Sequence, residues 1–334
     1  LTDVTGVQTC ALPISGGVLG MKKFLLVALL VLMVFSMGFA KTLRIGFIPM
    51  TLSNEYFITM VNAAQQEAKK LGVELLVQAG ERHGSAEEQL QIMENMIAQR
   101  VDAICIVPSS SQGLIPVLRT AERAGIPVIN LDTRFDPEAI KAAGLKPIPF
   151  IGTDNYYGAQ IAGWFALALT GAEGKVAILT GIAGQQNAAD RRNGFYDVVS
   201  KWPGIKVVAE QTANWEVEQG YNVFQNMLQA NPDLKLVFAS NDNMGLGAYR
   251  AIKEAGKDII VIGYDAVPAA LDAVKAGEFV GTVAQFPAEM GIMGVQTAVK
   301  LKNGETVPDY IQTGSMMIFK GNVDWFVEYL AQFK

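Results

Sequence analysis

The chain has 334 residues, half of them hydrophobic and 18% charged, with a formal net charge of −5 at pH 7. That length allows two ordinary domains with well-buried cores. The mild negative charge argues against nucleic acid or an anionic membrane surface as the main partner, and a single histidine beside two cysteines leaves no cluster with metal-ligand spacing.

In chain order, residues 1–20 stand apart. Thr5-Gly6-Val7-Gln8-Thr9-Cys10-Ala11-Leu12-Pro13-Ile14 resembles the translation of a sequencing adapter joined in frame, so 1–20 reads as a non-native scar and Cys10 goes with it. Met21-Lys22-Lys23 opens a basic region, an apolar run continues to Phe35, and Gly38-Phe39-Ala40 supplies the small residues of a cleavage site. The run falls short of the roughly 20 apolar residues that a spanning helix needs. It reads as a signal peptide over 21–40, cut after Ala40, with no junction cysteine for a lipid anchor. Cys105, the one cysteine left, sits in the apolar run Ala103-Ile104-Cys105-Ile106-Val107 and reads as a core residue rather than a nucleophile.

From Lys41 onward strands and helices alternate. The patterning predicts strands over 43–48, 73–79, 101–107 and 128–131, and helices over 55–71, 86–100 and 113–124. Such spacing gives a parallel sheet covered by helices on both faces. Then Phe150-Ile151-Gly152-Thr153-Asp154-Asn155-Tyr156-Tyr157-Gly158 runs from an apolar strand into a polar turn. Ile161, Trp164, Phe165 and Leu169 follow at spacings that put them on one helix face. The turn reads as a crossover between two similar halves, with Asp154 and Asn155 at the mouth of a cleft; an ordinary helix N-cap is the alternative.

The second half repeats the design, with strands predicted over 175–179, 205–210, 234–239, 259–262 and 280–284. Residues 101–109 and 234–242 match in form. Each is followed by a helix stopped at Ala-Gly, at Ala124-Gly125 and Ala255-Gly256, and then by an apolar strand ending on a carboxylate, Asp132 or Asp265. Two lobes built alike could face those carboxylates across a shared cleft. As cleft groups they are expected to serve a ligand and to add little to the stability of the empty protein.

In parallel sheets the functional residues lie in loops beyond the carboxyl ends of the strands. Those loops and the helix starts after them offer Asn54, Tyr56, Phe57, Asp132, Asp154, Asn155, Arg191, Trp215, Asn241, Asp265 and Gln285. Carboxylates accept from adjacent hydroxyls, a guanidinium donates a fork, and aromatic rings cover apolar C–H faces. The set suits an uncharged polyhydroxylated small molecule. It suits a phosphate poorly: one clear arginine is present, and Gly181-Ile182-Ala183-Gly184 lacks the Lys-Ser/Thr of a P-loop. No enzyme, metal or cofactor is expected. His83, in Arg82-His83-Gly84-Ser85, reads as an exposed loop residue rather than a catalytic base. A glycosidase pairing of Asp132 with Asp265 ranks below ligand hydrogen bonding.

Several motifs fall in one family's order: Asn54-Glu55-Tyr56-Phe57, Asn130-Leu131-Asp132, Thr153-Asp154-Asn155, Gly181-Ile182-Ala183-Gly184 with Arg191 and Gly194-Phe195, Asn241-Asp242-Asn243-Met244 with Gly247-Ala248, Gly263-Tyr264-Asp265, and Ala284-Gln285. On these the chain resembles the ribose-type periplasmic sugar-binding proteins of ABC importers, relatives of the ligand-binding core of lactose-repressor-family regulators. The resemblance implies an α/β fold of two doubly wound parallel-sheet lobes joined by three crossovers near Thr153–Asp154, Gln285–Phe286 and Thr313–Ser315. The lobes would be 41–153 plus 286–313, and 154–285 plus 314–334. It implies a periplasmic monomer that takes a monosaccharide between the lobes, at Asn54, Tyr56, Phe57, Asp132, Arg191, Trp215, Asn241, Asp265 and Gln285, and delivers it to a membrane permease. A sugar-sensing role, with a chemoreceptor or sensor kinase as partner, is the alternative; a repressor is disfavoured because a signal segment precedes the first strand. Met50 and Val107 stand where ribose binders carry polar side chains, Thr133 where they carry an arginine, and Trp215 where they carry a smaller aromatic. Ribose, xylose and glucose therefore stay open.

Overall fold

Residues 42–81 and 83–334 are described by a computed structural model; the expected scar, the signal segment and its cleavage site lie outside them. The first half runs β1 (Arg44–Ile48), α1 (Glu55–Leu71), β2 (Glu74–Val77), α2 (Ala86–Ala98), β3 (Ala103–Ile106), α3 (Ile115–Arg123), β4 (Val128–Leu131), α4 (Pro137–Ala142) and β5 (Phe150–Thr153). The second runs α5 (Asn155–Thr170), β6 (Gly174–Thr180), α6 (Gln186–Val199), β7 (Ile205–Thr212), α7 (Val217–Ala230), β8 (Leu234–Ala239), α8 (Asp242–Glu254), β9 (Ile260–Asp265), α9 (Pro268–Ala276) and β10 (Gly281–Ala284). It is followed by α10 (Pro287–Lys302), β11 (Tyr310–Thr313), β12 (Met316–Phe319) and α11 (Val323–Ala331).

Two six-stranded sheets result, in the orders β2-β1-β3-β4-β5-β11 and β7-β6-β8-β9-β10-β12. The repeat legible in the sequence is thus a repeat of topology, since β3 and β8 hold the third place in their sheets and β4 and β9 the fourth. Pairing is parallel except for β12, which runs antiparallel to β10. The central strands β3, β4 and β5 are buried throughout, because helices cover both faces. The chain passes between the sheets after β5, after β10 and again between β11 and β12. Helix α10 packs on α1, β3 and β4 in the first lobe, and α11 packs on α9 and β12 in the second.

Local chemistry sets several helix ends. Asn54 caps α1 by accepting from the Tyr56 N–H at 3.0 Å, and Gly72 ends it in the left-handed conformation, φ 68°. Asp154 caps α5 through the Tyr157 N–H at 2.9 Å. The face that α5 buries differs from the one expected. Trp164 and Leu169 are exposed, and the helix buries Gly158, Ala159, Ala162, Gly163 and Ala166 instead. The reason is the neighbour. Helix α6 approaches so closely that a Cβ on Gly194 would overlap the Tyr156 carbonyl, and only small residues fit between the two backbones. Cys105 is fully buried in β3, where burial pushes its thiol pKa up, as befits a core residue.

Candidate ligand-binding site

A narrow cavity of about 30 Å³ opens where the carboxyl ends of both sheets meet. It is lined by Met50, Asn54, Tyr56, Phe57, His83, Asp132, Asn187, Arg191, Trp215, Asn241, Asp265 and Gln285. Nine of the eleven residues singled out from the sequence come together here, each at most 7% exposed. The lobes are therefore shut around it.

The backbone aims the key groups. Asp132 follows β4 at φ 58°, Asp265 ends β9 at φ 113°, and Trp215 follows the β7 turn at φ 68°. Non-glycine residues are uncommon there and cost about 1–3 kcal/mol in the less populated regions, so the surrounding fold must hold them. The indole of Trp215 lies against Gly181, where any Cβ would collide with it. Asn54 and Asn241 serve in parallel, one per lobe. Each caps its helix with its side-chain oxygen and turns its amide NH2 elsewhere: Asn54 Nδ2 lies 3.5 Å from His83 Nε2, and Asn241 Nδ2 donates to the Trp215 carbonyl at 3.2 Å.

The two carboxylates are held differently. Asp132 accepts from the Tyr56 hydroxyl at 2.7 Å and from the Thr133 hydroxyl at 3.2 Å. Asp265 Oδ1 accepts from Arg191 Nη1 at 3.1 Å and from Gln285 Nε2 at 2.7 Å, while nothing among the described residues donates to its Oδ2. Gln285 Oε1 is fully buried and has no partner among the described residues. Burial raises the pKa of both acids, that of Asp265 to about 6; the Arg191 guanidinium works against this in each case. Arg191 is buried over the ring of Tyr264, 4.0 Å from its centroid, and donates from Nε to Asn155 Oδ1 at 2.8 Å and from Nη1 to the Ser240 carbonyl at 2.8 Å. Burial pulls its pKa down, but Asp265, Tyr264 and Asp132 outweigh that, and the net shift is upward.

Three expectations need correction. Asp154 is a helix cap and lines a neighbouring hollow with Arg134, Asp190 and Tyr310, not the main cavity. Asn155 is buried behind Arg191 and orients its guanidinium. His83 is not an exposed loop residue: its side chain is 5% exposed, lines the cavity and bonds Glu216 at 2.9 Å, a contact that needs the second lobe closed over it. Asn187 was missed altogether. Its Nδ2 meets Thr133 Oγ1 at 3.2 Å, across the lobes, and nothing local in the sequence marks it.

Chemically, two carboxylates, one guanidinium, side-chain amides and the side chains of Phe57 and Trp215 line the cavity. Spare buried acceptors call for hydroxyl donors, and the excess of negative groups disfavours an anion. Among the described residues no group of acidic, histidine or cysteine side chains could hold a metal ion, and no helix is long and apolar enough to cross a membrane.

Known proteins match this architecture over most of the chain. A D-ribose/D-allose-binding protein of Pseudomonas aeruginosa is 37% identical over 275 residues, covering 81% of this chain and 85% of its own. The ribose import binding protein RbsB of Escherichia coli is 37% identical over 264 residues, covering 79% and 86%. The crystal structure of an ABC transporter periplasmic solute binding protein from Actinobacillus succinogenes with bound D-allose aligns with a TM-score of 0.81 at 39% identity, over 85% of this chain and 99% of that one. The family described as periplasmic binding protein domain matches residues 45–306, and this chain belongs to it.

Proposed function

We propose that this protein captures one monosaccharide between its two lobes in the periplasm and delivers it, as a monomer, to the permease of an ABC importer. The carrying observation is the cavity at the carboxyl ends of both sheets, where Asp265 Oδ2 and Gln285 Oε1 lack donors among the described residues and Phe57 and Trp215 stand in the lining. A sugar ring offers what that lining lacks, hydroxyl donors around its edge and apolar C–H on its faces. Asn54, Tyr56, Phe57, Asp132, Arg191, Trp215, Asn241, Asp265 and Gln285 would contact it, and Asn155 would hold Arg191 in place. The lobes divide as 41–153 plus 286–313 and 154–285 plus 314–334.

The names of the relatives favour import over a sensory role and put D-ribose and D-allose first among candidates. Thr133 and Met50, in place of an arginine and a polar residue, keep xylose and glucose in the panel. Export with removal of the leader after Ala40 belongs to the same reading, and intact mass of periplasmic protein should begin at Lys41. The binding test is a thermal-shift screen over pentoses, hexoses and inositol. A ligand at 100 times its Kd stabilises by about 2.7 kcal/mol, a shift of several degrees at most. Should no sugar in the panel raise the melting temperature, the reading falls.

A further inference from the structure

Gln185 precedes α6 at its N-cap position, yet its side chain makes no capping bond. Its side chain is instead buried and doubly engaged: Oε1 accepts from Trp215 Nε1 at 2.7 Å, and Nε2 donates to the Ser109 carbonyl at 2.8 Å. Each partner has a single role, because an indole N–H only donates and a carbonyl only accepts. The amide orientation is therefore forced by its surroundings. Trp215 and Gln185 belong to the second lobe and Ser109, beyond β3, to the first. The Ser109 carbonyl is itself presented on a stiff loop, since the buried Gln89 accepts from the Ser109 N–H at 2.7 Å and donates to the Val107 carbonyl at 2.8 Å. The next two residues also bond across the lobes, from the Gln186 N–H to Ser111 Oγ at 3.1 Å and from Asn187 Nδ2 to Thr133 Oγ1. Among the described residues, only Gln185 joins the other lobe by hydrogen bonds to an aromatic wall of the cavity.

We propose that Gln185 is a positioning residue that couples the indole of Trp215 to lobe closure and so sets how slowly the sugar leaves. This rests on the sugar-binding reading above. With the lobes shut, the amide bridges both partners and pins the indole against Gly181. Once they part, the Ser109 bond is gone and one restraint on the indole goes with it. Gln185 itself need not touch the sugar.

Gln185→Glu separates the two bonds, since a carboxylate still accepts from the indole N–H but meets the Ser109 carbonyl with an oxygen. Gln185→Met removes both. The probes are D-ribose and D-allose, with association and release followed by stopped-flow tryptophan fluorescence. Gln185→Glu should release sugar about tenfold faster, the effect of one buried hydrogen bond, with association changed less than about threefold. Its sugar-free melting temperature should stay within about 2 °C of wild type. Gln185→Met should release at least as fast and also shift the tryptophan emission of the sugar-free protein, which Gln185→Glu leaves unchanged. Unaltered release in both variants overturns the inference, and so does a lowered sugar-free melting temperature with normal release, which would make Gln185 a structural residue. If wild type binds neither these sugars nor any other in the panel, the functional reading fails first and takes this inference with it; if wild type binds and the variants release normally, this inference alone fails.

Discussion

Asp265 carries two duties that pull in different directions. The residue lines the cavity, with no donor to its Oδ2 among the described residues, while its Oδ1 neutralises Arg191, a guanidinium buried over the ring of Tyr264. As a cleft carboxylate it should matter to ligand alone; the ion pair makes it matter to the fold as well. Asp265→Asn keeps the shape and one acceptor but leaves Arg191 without its counter-charge. Hydrogen bonds to a charged group are worth about 1.5–3 kcal/mol. Sugar affinity measured by calorimetry should therefore fall by about one to two powers of ten, and urea unfolding of the sugar-free protein should show a loss of about 1–2 kcal/mol. Unchanged affinity with reduced stability would leave Asp265 as a purely structural partner of Arg191. Among the described residues Asp132 has no such ion-pair partner and is braced by two hydroxyls, so Asp132→Asn should cost affinity with a smaller loss of stability.

Helix α6 is the element on which the site depends most, since it carries Asn187 and Arg191 and begins just after Gln185. Its placement is set by contact with α5 through glycine. At Gly194 the obstruction is the Tyr156 carbonyl, backbone that cannot swing aside, and a Cβ would also crowd Ala159. Gly194→Ala should push the helices apart and cost about 1–3 kcal/mol in urea unfolding, the usual price of overpacking. Because Arg191 lies on the same helix, sugar affinity should drop as well, although no atom of the site is altered. Wild-type affinity in a destabilised Gly194→Ala would show that Arg191 is held by Asn155 and Asp265 rather than by the seat of its helix.

At the scale of the molecule the two lobes stand closed on each other, bonded across the cleft by Gln185, Gln186 and Asn187. Hinge closure around a ligand is the established motion of periplasmic binding proteins as a class. In the closed molecule Asp265 is buried near Asp132, and burial holds its pKa up, at about 6, against the opposing pull of Arg191 and Gln285. An acid whose pKa is higher in the closed form takes up a proton on closing. Closure is therefore favoured at low pH, and that contribution is lost as pH rises through about 6. Small-angle scattering of the sugar-free protein should give a more compact particle near pH 5 than near pH 7.5. The difference should vanish in Asp265→Asn, whose side chain does not titrate. Identical scattering at both pH values in wild type would mean that ionised Asp265 is no obstacle to closing.

Much of this was legible from sequence because its causes are local. The bounds of α1 and α10 follow from Asn54, Gly72 and Pro287, residues that start or stop a helix wherever they occur. The alternation of apolar strands with amphipathic helices was enough for two parallel sheets, and the rule that loops beyond strand ends carry function brought nine residues to one cavity. What tertiary structure alone decided are the matters of which surface meets which. Trp164 is exposed because α6 comes too near for anything larger than alanine on the facing side of α5. Asp154 stays with its helix cap, and Asn155 turns to Arg191, although the two are neighbours in one polar turn. His83, Gln185 and Asn187 acquire their cross-lobe partners Glu216, Ser109 and Thr133 only when the second lobe closes on the first, at separations of 133, 76 and 54 residues. No periodicity or cap records such contacts, since they depend on the relative placement of two lobes and not on the conformation of either segment.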